Sequence, residues 1–325
     1  MTISRSSICV WVGSEPGQHF AKDNVMNDNR ANVQVGVIGI GLMGHGIASN
    51  IQKNGWALGF LDHPGNQPVD NLVAKGAKAY TSGRELAAHC NVVIICVTGS
   101  PQVEDVLFRE DGVLKGLRPD GVIIDCSTAV PSSTESIAKA VNEAGGRFLD
   151  APMTRTPKEA AEGRLNLIVG GERSLYEAQQ PLLESFSENI TYAGPVGSGH
   201  KLKLLHNFVS LGFSTVLAEA AACAQRGGVS AEALVEVLAK GGGAGAILQR
   251  LQPYILERDN SGFKFSISNA HKDLGYYLEM TNDLNARQSA AEGIYAVLEA
   301  AKASGHEQDT IPELISLLAE EDSRV

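Results

Sequence analysis

Short apolar runs alternate with amphipathic stretches along residues 33–169. Residues 33–38 predict a buried strand, because Val33, Val35, Val37 and Ile38 leave it little polar surface. The run enters a glycine-rich turn and then a helical pattern to Lys53, with Gly55 placed to stop it. A second strand is predicted over 57–61, and others over 91–97, 122–124, 147–149 and 165–169. Helical patterns lie between them at 72–75, 82–89, 102–107 and 131–143, the last with Pro131 at its start. Repeated β–α units of this length predict an α/β, Rossmann-type, doubly wound sheet. From about residue 197 the period changes. Phe208, Leu211, Val216 and Ala220 continue a helical pattern to Arg226, ahead of Gly227-Gly228. That predicts a helix of nearly thirty residues, roughly 43 Å long. Further helical patterns follow at 231–240, 246–256, 269–282, 286–304 and 311–319, with no competing strand.

The pattern divides the chain into a flexible N-terminal extension (1–31), a sheet domain (32–196) and an all-helical domain (197–325) joined to it by the long helix. In the extension, one Arg precedes a short apolar run at 8–12, too brief for a signal peptide and followed by no small-residue cleavage site. Met26 is an alternative start, which N-terminal sequencing of the native protein would settle.

Composition narrows the function. The 325 residues are 43% hydrophobic and 20% charged, as expected of a soluble globular chain with a sizeable core. The net charge of −10 argues against a nucleic-acid or membrane-surface partner, since both want a basic face. It leaves room for a small anionic substrate, which one local Lys or Arg can hold. No uninterrupted apolar run reaches the ~20 residues a spanning helix needs. The five cysteines form no CxxC pair, and read as reduced, mostly buried thiols of a cytoplasmic protein. The eight histidines show no metal-ligand spacing, so no metal is expected; packing or polar roles are expected for His200 and His206. The acidic residues at 320–322 read as a solvated tail.

Three stretches carry candidate chemistry. Gly39-Ile-Gly41-Leu-Met-Gly44 follows a predicted strand and opens a helix, and Asp62 ends the next strand 18 residues beyond Gly44. This is the full context of a dinucleotide fingerprint: Gly39 for the turn, Gly41 for close approach of the pyrophosphate, Gly44 for helix–strand packing. The Asp62 carboxylate would accept from a ribose 2′-OH and repel a 2′-phosphate, favouring NAD, with NADP the alternative. At other predicted strand ends lie Thr98, then Ser127-Thr128, which read equally as ligands or helix caps. In Gly197-Ser-Gly-His-Lys-Leu-Lys203-Leu-Leu-His-Asn207, Lys203 and Asn207 share one helix face at the domain junction. A lysine against a pocket can lose part of its ammonium stabilisation and exchange a proton, whereas Lys201 points elsewhere and reads as a surface residue.

These pieces, with Asp125-Cys-Ser-Thr128, Asp150-Ala-Pro-Met-Thr-Arg-Thr156, Glu162-Gly163 and Lys272-Asp-Leu274, resemble the β-hydroxyacid dehydrogenase family, the group of 3-hydroxyisobutyrate dehydrogenase, over about residues 33–320. The resemblance implies that Lys203 is the catalytic lysine and Asn207 its substrate-side partner. It implies that Leu42, Met43, Asp62, Val97, Thr98 and Thr128 contact the cofactor, that Lys272 reaches it from the helical domain, and that Ser127 holds substrate near the nicotinamide. One departure stands out. Where the family usually has Ser-Gly-Gly, this chain has Thr154-Arg155-Thr156. Sulfolactaldehyde reductase, in the same family, is similar there, with Gly-Arg-Thr. Thr154, Arg155 and Thr156 are therefore substrate-binding candidates, with Arg155 able to pair with a second carboxylate or a sulfonate, unless it turns to solvent or pairs with Glu159.

The activity implied is NAD(P)-dependent interconversion of a small β-hydroxy acid and its semialdehyde by a homodimer or homotetramer. The alternatives are a reductase of a sulfonated or dicarboxylic semialdehyde, an imine reductase, or a dinucleotide-binding protein without activity.

Overall fold

The computed structural model describes residues 29–320. Most of the expected extension, and the acidic tail beyond Glu320, lie outside the described residues. A 3-10 turn at Asn29–Asn32 leads into the sheet, so the described fold starts slightly ahead of the expected boundary.

The sheet domain comprises β1 (Gln34–Ile38), α1 (Leu42–Lys53), β2 (Ala57–Leu61), α2 (Asp70–Val73), β3 (Lys78–Tyr80), α3 (Gly83–His89), β4 (Val92–Ile95), α4 (Ser100–Phe108), β5 (Val122–Asp125), α5 (Pro131–Glu143), β6 (Arg147–Asp150), β7 (Met153–Thr154), α6 (Pro157–Glu162), β8 (Leu165–Gly171), α7 (Arg173–Leu183) and β9 (Ser187–Gly194). The strand order is β3-β2-β1-β4-β5-β6-β8-β7, with β9 on β8. The first six strands run parallel, and strand order reverses between β1 and β4. Beyond β6 the sheet turns antiparallel at β8 and β7, and β9 runs parallel to β8. The parallel strands are buried on both faces, which explains their near-continuous apolar runs.

Four elements of this domain carry weak sequence signals. β3 and β7 are only three and two residues long. β9 is polar and largely open at the sheet edge. α7 has Pro181 inside it, yet buries Leu175, Tyr176, Leu182 and Leu183.

The second domain is helical: α8 (Ser198–Arg226), α9 (Ala231–Lys240), α10 (Ala246–Glu257), α11 (Ile267–Asp283), α12 (Ser289–Ala303) and α13 (Leu314–Glu320). The last predicted helix is a 3-10 turn at Ile311–Glu313 followed by α13. α8 has 29 residues and sufficient apolar content to cross a bilayer by length and composition, but it acts as a core helix here. Its Leu204, Leu211 and Leu217 pack with Leu251, Leu274 and Leu314. A carboxylate from the sheet fixes where α8 starts. Asp150, fully buried at the end of β6, accepts from the backbone N–H of Gly197 at 2.8 Å and of His200 at 2.9 Å. A carboxylate at a helix N-terminus satisfies orphan donors and complements the helix dipole.

Candidate active site

The parallel strands end along one edge of the sheet, where the β5 and β6 ends meet the start of α8 and the segment after β4 meets Tyr276 of α11. At the end of β1 the chain turns through Gly39, at φ +91°, where any Cβ would meet the Cys96 carbonyl 2.2 Å away. A Cβ at Gly44 would lie 1.9 Å from the Gly39 carbonyl, so α1 can sit this close to the turn only with glycine there. Gly41 faces open space and no side chain caps α1, which leaves the first backbone N–H groups of the helix for an anion. Leu42 is 66% exposed beside them. Asp62 and Thr98 are exposed, while Val97 and Thr128 are half-buried. This cradle fits the pyrophosphate and adjoining ribose of a dinucleotide.

On α8, His200, Lys203 and Asn207 lie on one face. Lys203 is half-buried as a residue, and its ammonium has no hydrogen-bond or ion-pair partner among the described residues. Burial pushes its pKa below the ordinary lysine value; the Asp273 carboxylate opposes this and Lys272 adds to it. One turn on, Asn207 is buried and donates to Asp273 Oδ2 at 2.7 Å, while its Oδ1 is 3.0 Å from His206 Nδ1. These two contacts fix which way the amide points, and they leave the second Nδ2 proton for a ligand. Asp273, itself buried, also receives Lys272 Nζ on Oδ1 at 2.6 Å. Lys272 Nζ lies 4.9 Å from the centre of the Tyr276 ring, and the Tyr276 hydroxyl accepts from Ser100 N at 3.2 Å, across the cleft at the start of α4.

Residues 34–194 match the family described as the NAD binding domain of 6-phosphogluconate dehydrogenase, and residues 197–318 match the NAD-binding family of NADP-dependent 3-hydroxyisobutyrate dehydrogenase. An NAD-dependent L-serine dehydrogenase of Pseudomonas aeruginosa is 34% identical over 74% of this chain and 83% of its own. A 3-sulfolactaldehyde reductase of Escherichia coli is 30% identical over 83% of this chain and 91% of its own. Among solved structures, the Mycobacterium tuberculosis 3-hydroxyisobutyrate dehydrogenase with L-serine superimposes with a TM-score of 0.79, at 25% identity, covering 88% of this chain and 99% of its own. The chain belongs to the β-hydroxyacid dehydrogenase family. It is an NAD(P)-dependent oxidoreductase acting on a CH–OH group.

For this dehydrogenase, the structure places the substrate-side candidates unequally. Lys203 and Asn207 come together with Lys272 around Asp273, whose role the sequence left unassigned. Ser127 is 3% exposed: its N–H donates to Asp125 Oδ1 at 2.9 Å, its carbonyl lies 3.1 Å from His200 Nε2, and its Oγ accepts from Val97 N at 3.0 Å. It therefore helps build the wall between the β4 and β5 ends, while its hydroxyl, which accepts from Val97, keeps its own proton to donate. Thr156 is engaged. Its hydroxyl and N–H both meet Glu159 in a capping box that starts α6. Thr154 Oγ1 accepts from Asn166 at 3.2 Å and keeps its own proton to donate. The Arg155 guanidinium pairs with Glu188 and donates to the Arg164 carbonyl, so its partner is on β9 and not Glu159. Lys201, read as a surface residue, pairs with Glu135 at 2.7 Å.

The signal for Asp273 was present, since it lies inside the Lys-Asp-Leu segment, but only the fold shows that it bridges Lys272 and Asn207. Tyr276 had no local signal, because its partner is 176 residues away in sequence.

Proposed function

We propose that this dehydrogenase interconverts a small anionic β-hydroxy acid and its semialdehyde, with NAD preferred and Lys203 as general acid–base. The observation that carries the reading is Lys203 itself: a half-buried residue whose ammonium has no partner among the described residues, its proton affinity lowered by burial, on the helix that joins the two domains. Bound in the cradle, the nicotinamide supplies the hydride acceptor or donor. Gly39, Gly41, Leu42, Met43 and Gly44 would hold its pyrophosphate side, Asp62 its ribose, and Val97, Thr98, Thr128 and Lys272 the strand-end side. In oxidation, neutral Lys203 Nζ takes the hydroxyl proton of the substrate; in reduction, protonated Lys203 returns it to the new alkoxide oxygen. Asn207, its amide oriented by Asp273 and His206, donates its remaining proton to the substrate oxygen or acid group. Thr154 donates to the carboxylate. The exposed Asp62 carboxylate supports NAD over NADP, because a 2′-phosphate there would face a like charge.

Arg155 supports a second reading, a sulfonated or dicarboxylic substrate. A guanidinium in a left-handed backbone position next to Thr154 is unusual enough to suggest a purpose, although Glu188 holds it in this structure. We also propose self-association through the exposed apolar side chains of α8.

The deciding experiment is steady-state kinetics with NAD and NADP on 3-hydroxyisobutyrate, serine, 4-hydroxybutyrate, 2-(hydroxymethyl)glutarate and 2,3-dihydroxypropanesulfonate, across pH. Oxidation requires neutral Lys203, so its rate should rise with pH through the Lys203 pKa, while reduction falls through the same value. Since burial lowers that pKa, the midpoint should lie below the ordinary lysine value of about 10.4. Lys203→Ala should cut turnover by about 10²–10⁴-fold with NADH binding retained. Silence across the panel, or full turnover by Lys203→Ala, would overturn the proposal.

A further inference from the structure

A buried titratable cluster lies directly behind the site, and the proton-transfer scheme does not use it. His200, Asp125, Asp150 and Thr134 are all 0% exposed. His200 Nε2 lies 3.1 Å from the Ser127 carbonyl and 4.0 Å from Asp125 Oδ2. Its Nδ1 lies 2.8 Å from Thr134 Oγ1 and 4.0 Å from Asp150 Oδ2. A carbonyl only accepts, so Nε2 must carry a proton. Thr134 adapts to either state of the ring: it donates to a neutral Nδ1, or accepts from a protonated one and donates to the Val130 carbonyl, 3.1 Å away. Asp125 Oδ2 has no hydrogen-bond partner among the described residues. The His200 ring nitrogen Nε2 lies 4.0 Å from it.

The geometry matters because of what each end of this cluster holds. Ser127 joins the β4 and β5 ends through its N–H and Oγ, and its carbonyl receives from His200 the one contact of the three that comes from α8. His200 is three residues from Lys203 on the same helix, and Asn207 four residues further on is anchored to Asp273. Lys203 thus hangs between two bolts, one to the sheet domain and one to the helical domain.

We propose that His200 is a positioning residue: through Nε2–H it locks the 125–128 loop to α8 and so sets the distance between the substrate wall and Lys203. This rests on Lys203 being the proton-transfer group. An apolar side chain at this place would release the Ser127 carbonyl and let the loop and helix move independently. A Gln would keep the function, since its Nε2 can donate to Ser127 while its Oε1 accepts from Thr134.

The test compares the full-length wild type with His200→Ala and His200→Gln, measuring kcat and KM for the best hydroxy acid and the dissociation constant of NADH by fluorescence. Misplacing reacting groups by about 1 Å can cost ~100-fold, so His200→Ala should lose on that order in kcat/KM while NADH binding stays within about twofold. His200→Gln should recover most of the loss. Equal losses in the two variants, or no loss in His200→Ala, would overturn the proposal. Long-range ¹H–¹⁵N spectra of the wild-type imidazoles give a readout independent of turnover. A persistent Nε2–H tautomer for His200 is expected, and an Nδ1–H tautomer overturns the proposal even if His200→Ala fails to fold. A wild type silent on the whole panel would instead overturn the substrate reading, with the tautomer still deciding the role of the His200 contact.

Discussion

Arg155 has φ +82°, in the left-handed region that glycine adopts without strain. Its conformation costs about 1 kcal/mol relative to glycine. The exposed pair with Glu188 returns little of that, since water screens it. Arg155→Gly should therefore raise Tm slightly rather than lower it, so a loss of activity in this variant would not be a loss of fold, which makes it a clean probe of substrate choice. A charge-assisted, bidentate contact is strong enough that its loss should raise KM for a sulfonated or dicarboxylic substrate by about tenfold more than for 3-hydroxyisobutyrate. Glu188→Gln should act the opposite way and lower KM for the doubly charged substrate, because it frees the guanidinium. Equal effects on both substrate types would make Arg155 a member of the β9 ion-pair cluster and nothing more. Burial also decides which thiols react: it pushes the Cys96 thiol up to about 12 and the Cys126 thiol well above its ordinary value, so neither competes as a nucleophile beside the site.

At the scale of elements, α8 and α11 do most of the positioning. Asp150 caps the start of α8, His200 ties it to the β5 end, and Asn207 ties it to α11. α11 reaches back across the cleft through Tyr276, whose hydroxyl takes the Ser100 N–H at the start of α4. Glycine precedes Ser100 for a steric reason: a Cβ on Gly99 would lie 2.3 Å from that hydroxyl. Tyr276→Phe removes the hydrogen bond and keeps the ring under Lys272. A net hydrogen bond of about 1 kcal/mol should appear as a roughly fivefold weaker NADH dissociation constant in fluorescence titration. Unchanged affinity would show that the contact supports the fold but not the cofactor cleft.

At the scale of the molecule, two apolar cores on the sheet and one among the helices are joined by one helix. One sheet core gathers Val35, Val37, Ile94, Ile124, Leu149 and Leu167, the other gathers Ile38, Val93, Ile95, Ile123 and Phe148, and the helical core gathers around Leu204, Leu211, Leu251 and Leu274. α8 is not fully spent by this arrangement. Leu202, Leu205, Val209 and Val216 remain 40%, 45%, 67% and 59% exposed along it. A face of this kind favours burial against another copy of the chain. Light scattering at micromolar concentration should give a dimer or tetramer, and Val209→Asp should shift the population toward monomer. A monomeric wild type would refute the proposed association.

The sequence by itself determined the parallel half of the sheet, the glycine turn and the helical second domain. These rest on local physics: runs buried on both faces, helical periodicity, and glycines where backbone must approach backbone. Residues 57–61 and 131–143 were predicted with the bounds the structure shows for β2 and α5. It also singled out Lys203 and Asn207, because a spacing of four on a helix is legible without a fold. Tertiary structure decided the rest. β3, β7 and β9 are short or exposed edge strands with little apolar pattern of their own, and they form because neighbouring strands offer them hydrogen bonds. Whether Thr156 presents its hydroxyl to a ligand or spends it on the protein depended on Glu159. The partner of Arg155 was fixed by the strand that lies beside it. Such contacts link residues far apart in sequence, and only the packing of the sheet against α8 brings them within hydrogen-bonding distance.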